Sequence, residues 1–172
     1  MICIVAIVMV VVGMACAEKR VKPPEINLFD AIGAKNVSAV KQHMDAGTKI
    51  DQWIPKGYPF EGASPLHLAV VVGNGEIVQL LIDNGADVEI KAKDQYGGTP
   101  LQWAVFFGNV EMTKLTVNVG GADVNAKDND GCTPLCATLA PNPFISPENL
   151  DEFKKNREAI GGFLKNKGAR ME

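Results

Sequence analysis

Ser64-Pro65-Leu66-His67-Leu68-Ala69, running on through Gly73-Asn74-Gly75-Glu76-Ile77-Val78-Gln79-Leu80-Leu81-Ile82 to Gly85-Ala86-Asp87-Val88, is the stretch that decides the fold. It recurs as Thr99-Pro100-Leu101-Gln102-Trp103-Ala104, Gly108-Asn109-Val110-Glu111 and Gly121-Ala122-Asp123-Val124-Asn125-Ala126. Nineteen residues separate an apolar helix start from a glycine turn in each copy: Leu66 to Gly85, Leu101 to Gly120 and, more faintly, Leu28 to Gly47. Repetition at a fixed period of this size marks a solenoid. Stacked repeats build surfaces and rarely build active sites.

Within a unit the pattern reads helix, tight turn, helix, extended loop. Ser64-Pro65 and Thr99-Pro100 each supply an N-cap oxygen followed by a proline at the first helical position, a strong local helix-start signal. Leu66, Ala69 and Val70 then share one helical face, and Ile77, Leu80 and Leu81 share another. Gly73 and Gly108 are expected to end the first helices, Gly85 and Gly120 the second.

These units resemble ankyrin repeats, whose period is about 33 residues and whose signature is Thr-Pro-Leu-His-x-Ala. The resemblance is strong over Ser64–Glu89 and Thr99–Ala126 and weaker at both ends, as capping repeats require. It implies an all-α ankyrin-repeat solenoid of about four helix-turn-helix repeats with short extended loops between them, at about 26–52, 62–91, 97–126 and 131–170. The first unit lacks the Thr-Pro pair but keeps Leu28, Ala31 and Asn36-Val37-Ser38-Ala39-Val40. The fourth opens on Gly131-Cys132-Thr133-Pro134-Leu135, yet Gly168 follows Leu135 by 33 residues instead of 19. An insertion therefore separates its helices, and Ser146-Pro147-Glu148 predicts a long last helix over about Pro147–Lys167.

Loops absorb the remaining irregularity. The longest, Gln52–Ala63, carries Trp53, Ile54, Tyr58 and Phe60, more large apolar side chains than a solvated turn needs. It either presents them to a partner or folds back over the N-terminal unit.

The leader reads as an export signal occupying residues 1–17, followed by a linker over 18–25. Ile2–Val12 is apolar and Ala15-Cys16-Ala17 supplies a small-x-small cleavage pattern. Glu18-Lys19-Arg20 interrupts it too soon for a spanning helix, so contact with a membrane would come only through a lipid on Cys16. The expected location is periplasmic or secreted, with a lipid-anchored form as the alternative. Cys132 and Cys136 then remain in the mature chain. A disulfide between them is conceivable in an exported protein, but the turn-to-helix geometry favours two separate small thiols packed near a helix start. A metal site would need a second Cys or His pair.

Composition is that of an ordinary globular chain, with 47% hydrophobic and 22% charged residues. A net charge of −3 argues against nucleic acid as a partner. No nucleophile with a partner base and no phosphate-cradling loop is legible, so neither catalysis nor a cofactor is expected. Of the two histidines, His67 occupies the signature slot, where the resemblance implies a bond to the neighbouring turn; His43 reads as an exposed helical residue. Asp87, Asp94, Asp123 and Asp128 read as turn residues bonding backbone through their side chains. Asp128-Asn129-Asp130-Gly131 lacks the terminal glutamate that a calcium loop needs. Asn36-Val37-Ser38 fits a glycosylation acceptor in a eukaryotic secretory host.

What remains is surface. In ankyrin repeats, partners dock on loop tips and on the concave first helices. Carried over to this chain, that implies Gln95, Tyr96, Asn129 and Asp130 at the tips, with Val71, Val72, Phe106 and Phe107 just before the first-helix glycines. Trp53, Tyr58 and Phe60 of the long loop join them as candidate partner-binding residues. For Phe106, Phe107 and Trp103 the competing role is packing between repeats. The expected function is non-catalytic protein binding outside the cytoplasm, by a chain monomeric before its partner arrives. The alternatives are a periplasmic accessory, protector or immunity factor for an enzyme or toxin, and a self-associating structural protein.

Overall fold

In the computed structural model, residues 21–171 are described; the expected leader, with cleavage after Ala17 or lipidation at Cys16, lies outside them. Eight α-helices follow in order among the described residues: α1 Leu28–Gly33, α2 Val37–Asp45, α3 Pro65–Val72, α4 Gly75–Asp83, α5 Pro100–Phe106, α6 Val110–Asn118, α7 Pro134–Ala137 and α8 Leu150–Asn166. There is no strand among them. The odd-numbered helices pack in sequence, α1 on α3 on α5 on α7, and the even-numbered ones in parallel behind them. The result is a two-layer all-α solenoid.

Local chemistry explains each start. Asn27, Ser64, Thr99 and Thr133 have extended backbones and accept, through their side chains, the N–H three residues on. The turn inside each of the first three units has its own asparagine: Asn36, Asn74 and Asn109 cap α2, α4 and α6 the same way. Just before each asparagine the backbone is left-handed, at Lys35 (φ 54°), Gly73 (φ 68°) and Gly108 (φ 68°). The spacing assigned the turn after α6 to Gly120, but the left-handed residue is Gly121 (φ 69°). α4 and α6 are equally long, so the extra residue sits in the turn, where Gly120 lies close against the Thr116 carbonyl.

Two buried clusters run along the stack. One joins the first two units and reaches the third through Ala104 and Met112; the other joins the third and fourth through Leu101, Val105, Leu135, Ile160 and Leu164. Apolar burial at about 25 cal/mol per Å² drives both. The aspartates serve turns as expected: Asp87, Asp94, Asp123 and Asp128 each accept a backbone N–H from two residues further on.

His43 corrects the sequence reading. It is 5% exposed, its Nε2–H donates to the Ile26 carbonyl at 2.8 Å and its Nδ1 accepts from the Thr48 hydroxyl at 3.0 Å. The N-terminal segment crosses α2 there, a contact that helical spacing alone does not reveal. The cysteines are a second correction. Cys132 and Cys136 form a disulfide, with Cα atoms 5.5 Å apart. The extended N-cap Thr133 turns the chain back, so the residue before it lies over the first turn of α7.

Candidate functional site

The long loop leans toward the third unit, not over the N-terminal one. Its two arms pair through Ile54 N–H to the Ala63 carbonyl (2.8 Å) and Gly62 N–H to the Ile54 carbonyl (3.0 Å). Lys93 N–H then binds the Gly62 carbonyl at 2.8 Å, and the Lys93 ammonium sits 3.4 Å above the Trp53 ring. Trp53 is thus an anchor of this finger, and the next residue, Ile54, is buried. Phe60 is carried onto α5, its ring centroid 5.9 Å from Trp103 and 6.2 Å from Phe107. Tyr58 stands in solvent at the fingertip.

The insertion of the fourth unit approaches the same place from the opposite side. Phe144, 72% exposed, stacks on Phe107 at 6.2 Å. Asn142 Nδ2 fixes the segment by donating to the Phe106 carbonyl at 2.8 Å. Behind it, Arg157 of α8 donates to the carbonyls of Thr138, Ala140 and Phe106 and lies over the Phe153 ring. Burial lowers the basicity of this guanidinium.

Phe107 is therefore the hub. Trp103 is four residues before it and lies on the same face, 6.3 Å away, and Phe106 meets it edge-on at 5.3 Å. Such ring pairs contribute beyond their area, by about 0.5–1.5 kcal/mol each. The platform is continuous from Phe60 through Trp103 and Phe107 to Phe144.

Not every candidate belongs to it. Val72 packs against the first core cluster, and Val71 is half-buried on α3. Tyr96 and Gln95 are exposed at their loop tip. Asn129 braces one tip against the next, its N–H on the Tyr96 carbonyl at 2.8 Å and its Nδ2–H on the Gln95 carbonyl at 3.2 Å. Asp130 is exposed beside it. Phe144 and Arg157 were not among the candidates. Phe144 carried a signal, an aromatic residue within an insertion; Arg157 falls on the Phe153, Ile160 and Leu164 stripe of α8.

His67 takes the structural role. Its Nδ1 accepts the Ser64 N–H (3.2 Å) and its Nε2–H donates to the Gly98 carbonyl (2.9 Å), joining second unit to third. Fully buried, it has its pKa lowered to about 4 by desolvation, against weaker opposing contributions from Gly98 and Asp94. The third unit repeats the device with Gln102, which accepts from Thr99 N–H at 2.8 Å and donates to the Cys132 carbonyl at 2.6 Å.

A family model of ankyrin repeats, in three copies, matches residues 28–128. Similar proteins include an ankyrin repeat-containing protein of Schizosaccharomyces pombe, 30% identical over 61% of this chain and 46% of that one. The Saccharomyces cerevisiae protein named "Probable 26S proteasome regulatory subunit p28" is 40% identical over 46% of this chain and 34% of its own length. Human protein phosphatase 1 regulatory subunit 27 is 38% identical over 42% and 46% respectively. The chain spans less than half the length of each of these relatives. Ankyrin repeats are generally non-enzymatic protein-interaction modules, and with more than half its length matched by their model, this chain belongs to the ankyrin repeat family.

Proposed function

We propose that this chain is a non-catalytic binding module acting outside the cytoplasm, which docks a protein partner on the platform centred on Phe107. One observation carries the reading: both departures from repeat regularity, the finger and the fourth-unit insertion, deliver a phenylalanine to the same ring. Stacking alone does not call for either. Rings held in advance by Lys93, Asn142 and Arg157 lose little freedom on binding, so more of the contact energy reaches affinity. The apolar leader over Ile2–Val12 supports export, and so does the Cys132–Cys136 bond, since disulfides persist in oxidising compartments. The free chain is expected to be monomeric. A second reading, an accessory or protector of an enzyme, is favoured by the names of two relatives, both regulatory subunits.

The test compares wild type with a Phe60→Ala, Phe107→Ala, Phe144→Ala variant of unchanged helix content. Both are used to capture partners from the envelope and secreted fractions of the native host. A partner held by wild type and lost by the variant supports the platform as the docking face. A partner held equally by both overturns it. Intact mass of the protein recovered from those fractions reads the leader: a start at Glu18 supports cleavage, and a lipid mass on Cys16 supports the anchored form.

A further inference from the structure

The third helical position carries His67 in the second unit, Gln102 in the third and Cys136 in the fourth. His67 and Gln102 each reach back to their own N-cap and forward to a carbonyl of the next unit, Gly98 and Cys132 respectively. Cys136 bonds instead to Cys132, the residue that has just accepted Gln102. The polar ladder between units thus ends in a covalent bond. That bond spans nearly all of α7, a helix of four residues. A single turn is marginal on its own, because nucleation fixes several residues for one hydrogen bond; here the disulfide adds to the burial of Leu135 and Ala137 and to the Arg157 bonds on the Thr138 and Ala140 carbonyls.

α7 leads directly into the segment that carries Asn142 and Phe144 to α5. Both cysteines are half-buried, so solvent reaches the pair. We propose that the Cys132–Cys136 disulfide is a reversible latch on the aromatic platform: oxidised, it holds α7 and with it Phe144 against Phe107; reduced, it lets this segment open. The reductant is a dithiol. One of its thiolates attacks a cysteine sulfur, breaking the S–S bond to form a mixed disulfide and release the other cysteine. Its second thiol then displaces the remaining cysteine and closes the reductant's own disulfide. Two electrons pass to the protein, and the two cysteines end as thiols with two protons.

The latch rests on the platform reading only for its effect on binding, and its structural part is tested without any partner. Amide hydrogen exchange of the full chain is followed by mass spectrometry in oxidised protein, in protein reduced with dithiothreitol, and in the Cys132→Ser, Cys136→Ser variant. The amides of Ala137, Thr138, Leu139 and Ala140, bonded to carbonyls within this turn, should exchange about tenfold faster on reduction, as a local opening does. Those of α3 to α6 should not change, reoxidation should restore protection, and the double variant should match the reduced protein with no response to dithiothreitol. Equal protection in all three samples, or a rise spread evenly over α3 to α6, overturns the latch. If opening is local but partner capture ignores dithiothreitol, the latch stands and the platform reading fails.

Discussion

Lys35 occupies, at φ 54°, the slot that glycine fills at Gly73 and Gly108 in the next two units. A side chain in that conformation is strained, typically by about 1 kcal/mol. Lys35 is exposed and no packing demands it, so Lys35→Gly should stabilise the first unit by about that amount, read as a higher urea midpoint. His67 gives a pH dependence instead. The unfolded chain takes a proton near the ordinary value of 6.5, whereas the folded ring resists until about 4. Its contribution is therefore complete above pH 6.5 and is lost as the pH falls through that window, by roughly 3 kcal/mol in all. His67→Gln borrows the solution of Gln102 one unit on, so it should stay within about 1 kcal/mol of wild type at pH 7. Urea midpoints from pH 7 to pH 4 should then slope less steeply than in wild type; an unchanged slope would place the acid sensitivity elsewhere.

At the scale of elements, the finger is held by a contact that leaves no room. A Cβ on Gly62 would lie 2.8 Å from the Lys93 carbonyl oxygen, and the backbone there has φ 80°. Neither neighbour is a flexible chain end, so Gly62→Ala should push the finger off the loop at Lys93 and free Trp53 from its cation. The expected signs are a red-shifted Trp53 emission, best read in a Trp103→Phe background, and a stability loss of about 1–3 kcal/mol. Starts of α3, α5 and α7 were legible because serine or threonine before proline is a local device. Ser146-Pro147 was a weaker version: without a side-chain cap the chain begins as a 3-10 turn at Pro147–Asn149, and α8 follows from Leu150. The direction of the finger was not legible, since Lys93, Trp103 and Phe107 meet it from more than thirty residues away in sequence. The disulfide escaped for a related reason. Whether two cysteines four apart can meet depends on the N-cap backbone between them, and composition is silent on that.

Over the whole molecule, the period fixed the stack while the platform arose where the period fails, at Phe60 and Phe144. A solenoid is stable as a sum of units and their interfaces, so its ends can melt before its middle. Here the two buried clusters meet in the third unit, and α8 packs on α6 and α7 and, through Arg157, on the end of α5. Ile160 is fully buried in the second cluster, and Ile160→Ala should cost about 2–5 kcal/mol. The cavity opens where the fourth unit meets Leu101 and Val105 of the third, and the loss is expected to fall mainly on the fourth unit. Both tryptophans, Trp53 and Trp103, lie before it, so their fluorescence reports the first three units while circular dichroism reports every helix. In urea the variant should lose part of its helical signal first, with the tryptophan transition close to its wild-type midpoint. If instead both signals move together to a lower midpoint, Leu101 and Val105 transmit the damage across the shared interface, and the chain unfolds as one cooperative body.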